Sequence, residues 1–134
     1  MRVLVYGGRE WDDQETMDRV LDTLHEQYGF TEVIEGGQVS YDKANFEHMW
    51  GADYQARQWA TGRRINIRTF MARWRQEGLA AGPIRNQRMI DEGKPEIAVR
   101  FPGGRGTADM SRRLEAAGIQ IIDALTVKIS TIPS

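Results

Sequence analysis

The stretch Ile97-Ala98-Val99-Arg100-Phe101-Pro102-Gly103-Gly104-Arg105-Gly106-Thr107 joins an apolar, strand-like run to a helix-like segment beginning near Ala108. A glycine-rich turn in that setting brings backbone N–H groups within reach of a phosphate. Glycine lets the backbone approach a ligand closely, and a helix amino terminus adds unpaired donors and partial positive charge. A plain strand-to-helix connection needs one or two glycines. Three glycines, an arginine and a threonine within residues 103–107 exceed that need. The reading favours a nucleotide-type ligand at this turn.

Working outward, strand and helix periodicities alternate along the chain. Arg2–Tyr6 reads as a short buried strand ending at Gly7-Gly8. Asp12 or Asp13 is placed to cap a helix with the apolar face Met17, Val20, Leu21 and Leu24, ending near Gly29. Thr31–Glu35 forms a second strand and again ends in a glycine pair, Gly36-Gly37. A helix fits Ala52–Thr61, and a third strand fits Ile65–Phe70. Residues 71–81 form a polar connection under which Trp74 is expected to pack. Pro83–Glu92 reads as a short helix, Glu96–Phe101 as a fourth strand, Asp109–Ala117 as a helix and Ile119–Asp123 as a fifth strand. The tail from Thr126 either adds an edge strand or frays. Strands separated by helices imply βαβ units: a Rossmann-like α/β fold with a parallel sheet of about five strands and helices on both faces. Ligands of such sheets collect at the carboxyl ends of the strands. Gly7-Gly8, Gly36-Gly37 and Gly103-Gly104 all fall on that edge.

The bulk numbers narrow the function classes. At 134 residues the chain is expected to form one domain. Eighteen basic against 19 acidic residues give a formal net charge of −1, too weak a field to draw in nucleic acid or an anionic membrane. No cysteine is present, which excludes disulfides and thiolate metal sites, and two histidines argue against zinc. No cofactor or metal is expected. The amino-terminal apolar run is too short for a signal peptide and no segment is long enough to span a bilayer, so the expectation is a soluble, cytoplasmic protein.

Several side chains beside the glycine turns suit a nucleotide. Arg9 offers a fixed fork to a phosphate, and Trp11 offers a ring to a base or packs on its helix. Arg105 and Thr107 flank the third turn; the threonine either donates to a phosphate oxygen or caps the helix. Ala81-Gly82-Pro83-Ile84-Arg85-Asn86 opens another helix, putting Arg85 and Asn86 near a second amino terminus. Asp53 either binds ribose hydroxyls or caps its helix.

Together these segments resemble the SLOG superfamily. They are Gly7-Gly8-Arg9, Gly36-Gly37 with Gly51-Ala52-Asp53, residues 81–86, and Phe101 to Met110. The likeness spans roughly residues 1–123 and is nearest the YspA-like, cpYpsA-related branch found in bacteria and phages. It implies a Rossmann-like fold that binds nucleotides or nucleotide-derived signals, often as a dimer or larger oligomer. Two departures stand out. LOG phosphoribohydrolases of this superfamily carry Pro-Gly-Gly-x-Gly-Thr-x-x-Glu, with a glutamate that helps cleave an N-glycosidic bond. Met110 holds that position here, and a thioether cannot act as a carboxylate does. Asp109 lies one residue earlier, about 100° around a helix. In similar proteins, moreover, the second glycine pair runs almost directly into Gly-Ala-Asp. Here the thirteen residues Gln38–Trp50 intervene, and Trp50 replaces a basic residue. This insertion is read as a lid over the ligand, with Tyr41, Lys43, Phe46, His48 and Trp50 contributing, or as a surface loop or oligomer contact.

Two functions follow as expectations. The first is capture of a nucleotide-derived molecule, such as a cyclic nucleotide or an ADP-ribose-like signal, without turnover. In a phage-encoded chain this would fit sequestration of a host immune signal. The second is a nucleotide hydrolase or phosphoribohydrolase using Glu35, Asp53, Asp109 or His48. Near-neutral charge argues against a DNA-processing role.

Overall fold

The computed structural model describes residues 1–129. Its main sheet holds five parallel strands. They are β1 (Arg2–Tyr6), β2 (Glu32–Glu35), β5 (Asn66–Thr69), β6 (Ile97–Arg100) and β7 (Ile121–Asp123), in the order β5-β2-β1-β6-β7. The helices are α1 (Gln14–Tyr28), α2 (Ala52–Gly62), α3 (Trp74–Glu77), α4 (Ala81–Asp91) and α5 (Arg105–Ala116). A separate antiparallel hairpin pairs β3 (Ser40–Asp42) with β4 (Asn45–Trp50). The Rossmann-like expectation is met, with strand bounds within two residues of those expected.

The period-2 alternation of β1 sets the two layers. Val3 and Val5 face one way, joining Val33, Ile97 and Val99 under α1 (Met17, Val20, Leu21, Leu24) and α2 (Ala56, Trp59, Ala60). Leu4 and Tyr6 face the other way with Ile34 and Ala98, under α4 (Met89, Ile90) and α5 (Met110, Leu114). Asp13, rather than Asp12, caps α1: its carboxylate accepts from the Thr16 amide (3.0 Å) and the Thr16 hydroxyl (2.7 Å). Gly29, at φ 70°, closes the helix in the left-handed conformation that suits glycine.

Three local expectations need correction. Helix α5 starts at Arg105, four residues before Asp109, so the Gly-Arg-Gly-Thr run is its first turn. A glycine inside a helix costs about 1 kcal/mol, but Thr107, Met110 and Leu114 share a buried face that holds this turn in place. The polar connection contains α3 and a 3-10 turn over Gly78–Ala80, and it leads into α4 two residues before Pro83. Residues 38–50, read as a lid, surface loop or oligomer contact without assigned secondary structure, form a hairpin. Asp42 accepts from the Ala44 amide (2.8 Å) to turn the chain, and β3 pairs with β4 in the register Tyr41↔Met49. At the carboxyl end, Ala124–Thr126 is a 3-10 turn and no strand follows among the described residues; the rest of the tail, 130–134, lies outside them.

Candidate functional site

Two glycine turns meet at the carboxyl edge of the sheet. The Gly8 amide donates to the Pro102 carbonyl (2.8 Å). A Cβ on Gly8 would sit 2.9 Å from Gly103 Cα, and one on Gly103 would sit 2.7 Å from Gly8 N and collide with Thr107 Oγ1. These two glycines therefore let the turns abut. Gly104 and Gly106 differ: a Cβ on either meets no protein atom within 4 Å. Nothing inside the chain requires glycine there, whereas a ligand drawn against the backbone would. The first intrahelical bond of α5 runs from the Ala108 amide to the Gly104 carbonyl (3.0 Å). The amides of Arg105, Gly106 and Thr107 precede it, where a helix has no acceptors of its own.

Gly8 and Gly104–Thr107 line a cavity of about 670 Å³, within the range of small-molecule sites. Its walls bring together four regions that are distant in sequence. Gly7, Gly8 and Arg9 come from the β1–α1 turn, Gly36 and Asp53 from the β2–α2 region, Trp74, Arg85 and Asn86 from α3 and α4, and Gly104–Thr107 from α5. Sequence reasoning placed most of these at one site. It missed Gln38, Arg112 and, above all, Trp74, which is 45% exposed on the cavity wall instead of packing beneath the connection. An exposed tryptophan in a polar segment between two ligand-edge elements was the available signal.

The other expected contacts lie elsewhere. Trp11 packs on Phe101 with ring centroids 5.2 Å apart, in the core beside α1 and α2. Gly37 follows Gly36 just outside the lining, its amide donating to Glu35. Pro102 and Gly103 line a second hollow of about 540 Å³ behind the glycine loop, with Arg100 and Asp123. In the hairpin, Tyr41 and Phe46 contact each other, His48 stacks on Trp50 at 5.1 Å and lies 2.9 Å from Asp12, and Lys43 is exposed at the turn. None of Tyr41, Lys43, Phe46, His48 and Trp50 lines the cavity.

Behind the cavity lies a buried charge cluster. Glu35 is fully buried at the end of β2; its carboxylate accepts from the Gly37 amide (2.7 Å) and from the Thr69 hydroxyl. Burial raises its pKa despite those two donors. Asp53, in the first turn of α2, accepts from the Gln38 amide (3.1 Å) rather than capping its own helix. Burial, reinforced by the nearby Glu35 carboxylate, pushes Asp53 up to about 6, against the opposing pull of Arg85. Arg85 donates to the Gly36 carbonyl (2.6 Å). Its own pKa is lowered, first by burial and then by the neighbouring positive charge of Arg9.

Asn86 ties α4 to α5. Its Nδ2 donates to Asp109 Oδ2 (3.0 Å) and to the Gly106 carbonyl (3.3 Å). Burial alone would raise the pKa of Asp109, but hydrogen bonds from Arg113 (2.8 Å) and Asn86 hold it below the ordinary carboxylate value. Met110 is 1% exposed and contributes to the cavity wall as part of the core. Arg9 and Arg105 make no salt bridge among the described residues. Among those residues there is also no group of three His, Asp or Glu side chains that could hold a metal, and no helix is long and apolar enough to cross a membrane.

A parallel sheet ordered β5-β2-β1-β6-β7, with its glycine turns and cavity at the carboxyl edge, defines a Rossmann-like α/β protein. The model of the YspA, cpYpsA-related SLOG family (YAcAr) matches residues 1–76, more than half of the chain, and the chain belongs to that family. The match runs from β1 through the hairpin and Asp53 to α3, and stops before the glycine loop at 103–107. No curated protein matches the chain. Family membership points to a nucleotide-related function.

Proposed function

We propose that the protein binds a phosphate-bearing, nucleotide-derived small molecule, such as a cyclic nucleotide or an ADP-ribose-like signal, and senses or sequesters it without turnover. One observation carries this reading. Two guanidinium groups without carboxylate partners, Arg9 and Arg105, share a cavity with the leading amides of α5. Both arginines are therefore free to pair with a phosphate on the ligand. Binding without turnover is supported by Met110 at the position of the LOG glutamate. It is supported also by Asp109, whose carboxylate is committed to Arg113 and Asn86.

Asp53 favours a second reading, hydrolysis of an N-glycosidic bond. A carboxyl group that titrates at about 6 beside a cavity is in the range useful for general acid–base work. Its fixed bond to Gln38 and its place in the Glu35–Arg85 cluster suit a positioning role better. Self-association belongs to the proposal as well. Tyr41, Phe46 and Met49 are exposed on a two-stranded ribbon, an element marginal in water alone, and they offer a surface to a second copy.

The experiment is to denature the purified protein, identify what it releases by mass spectrometry, and incubate fresh protein with AMP, ADP-ribose and cyclic dinucleotides. Recovery of an intact nucleotide supports capture. Conversion that disappears in Asp53→Asn replaces capture with hydrolysis, and failure to retain any of these compounds counts against both readings.

A further inference from the structure

A nucleotide needs a flat partner for its base as well as donors for its phosphate. Only two aromatic side chains line the cavity among the described residues, Tyr6 and Trp74. Tyr6 is 4% exposed, and its hydroxyl is engaged with Ser111 at 2.7 Å, so it has no face to offer. Trp74 is the opposite case. It is a large aromatic, about half exposed, on a short helix at the cavity wall.

Its position is defined by α4. The Trp74 ring edge comes within 3.5 Å of where a Cβ on Gly82 would stand, so it rests against the start of that helix without filling the cavity. On its face lies Arg9, with the guanidinium carbon 5.9 Å from the ring centroid. That is near the outer limit of about 6 Å for a cation–π contact. A phosphate offers Arg9 two charge-assisted hydrogen bonds that the ring cannot match.

We propose that Trp74 is the nucleobase platform of this cavity, and that Arg9 leaves its ring for the ligand's phosphate when a nucleotide binds. The proposal rests on the nucleotide reading above and deepens it, because it makes the base a recognised part of the ligand. The phosphate lies at Gly104–Thr107 and the base at Trp74. A nucleoside phosphate is therefore held at both ends, and a sugar phosphate at one.

Calorimetric titration with AMP and ribose 5-phosphate separates the two ends. In the Trp74→Ala variant, AMP binding is expected to weaken roughly 5- to 150-fold, the range of one base–aromatic stack, while ribose 5-phosphate binding is unchanged. Trp74→Phe should recover most of the AMP affinity. Trp74→Leu, which keeps an apolar side chain in place, should behave like Trp74→Ala, so a folding defect in the alanine variant would not obscure the result. Equal weakening of both probes would assign Trp74 a structural role and overturn the proposal. Unchanged AMP binding would overturn it too, leaving the nucleotide reading intact. A wild-type protein that binds neither probe would overturn this proposal, and one that also fails to bind ADP-ribose and cyclic dinucleotides would overturn the nucleotide reading with it.

Discussion

The cavity and the β3–β4 hairpin both leave the carboxyl edge of the same sheet, yet their side chains are held in opposite ways. Around the cavity, polar and charged side chains are fixed by backbone atoms of distant elements: Asp53 by the Gln38 amide, Arg85 by the Gly36 carbonyl, Asn86 by the Gly106 carbonyl. On the hairpin, residues 41–49 are all exposed. Their contacts are largely local, apart from His48 to Asp12, with Ser40 alongside donating to the Arg9 carbonyl. Aromatic and charged residues occur in both regions. The sheet and the helix starts converge on only one of them, and that one has the geometry of a site.

The sharpest break in this contrast lies within the glycine loop. Gly103→Ala is expected to destabilise the fold by about 3 kcal/mol, at the upper end for overpacking, because the new methyl has backbone on one side and Thr107 on the other. Gly104→Ala, with open space at its Cβ, should stay within about 0.5 kcal/mol of wild type. Urea denaturation of the pair checks both values, and equal effects would contradict the division of labour between the two glycines.

A comparable effect should appear with pH. The folded-state pKa of Asp53, about 6, lies above its ordinary 3.8, so the folded protein holds the proton more tightly. The stability this contributes is fully present below about pH 4 and is lost as pH rises through 6. The shift corresponds to about 3 kcal/mol, and Glu35, also raised, adds in the same direction. In Asp53→Asn, thermal denaturation between pH 4 and 7 should therefore show a smaller fall in stability than wild type. An unchanged pH profile would remove Asp53 from the account.

Removing Arg85 should have a somewhat smaller effect. Arg85→Ala leaves two buried carboxyl groups without their cation and should cost about 2 kcal/mol at pH 8. That is less than the roughly 3–5 kcal/mol of a fully buried pair, because Arg85 is partly exposed. The loss should shrink towards pH 4 as the carboxylates take up protons, and a pH-independent loss would indicate packing alone. The smallest effect belongs to the hairpin. Phe46→Ser should change stability by no more than about 0.5 kcal/mol and leave nucleotide affinity unchanged by calorimetry. Lost affinity would restore a lid role to this segment.

The fold was legible because apolar runs, glycine stops and helix faces recur in phase, and the central strands β1 and β6 are short, largely apolar runs. The glycine edge was legible for the same reason: topology alone places the ends of parallel strands together. What the sequence left hidden depended on distance in space. The burial that shifts Asp53 needs α2, β2 and α4 assembled at once. The insertion was assigned no strands because its alternation of Phe46, His48 and Trp50 has no buried face to give it meaning. Trp11 and Trp74 have similar polar neighbours in sequence, but the first is drawn onto Phe101 and the second is left on the cavity wall.

The central claim is that the Gly104–Thr107 turn is an anion site built into an intact fold. Gly104→Asp tests it most directly, since it places a carboxylate at that turn with no steric conflict at its Cβ. AMP and ADP-ribose would be titrated into the wild type and this variant by calorimetry, with circular dichroism and thermal melts alongside. The account predicts a wild-type melting curve and no measurable binding. Undiminished binding by a folded Gly104→Asp protein would contradict it.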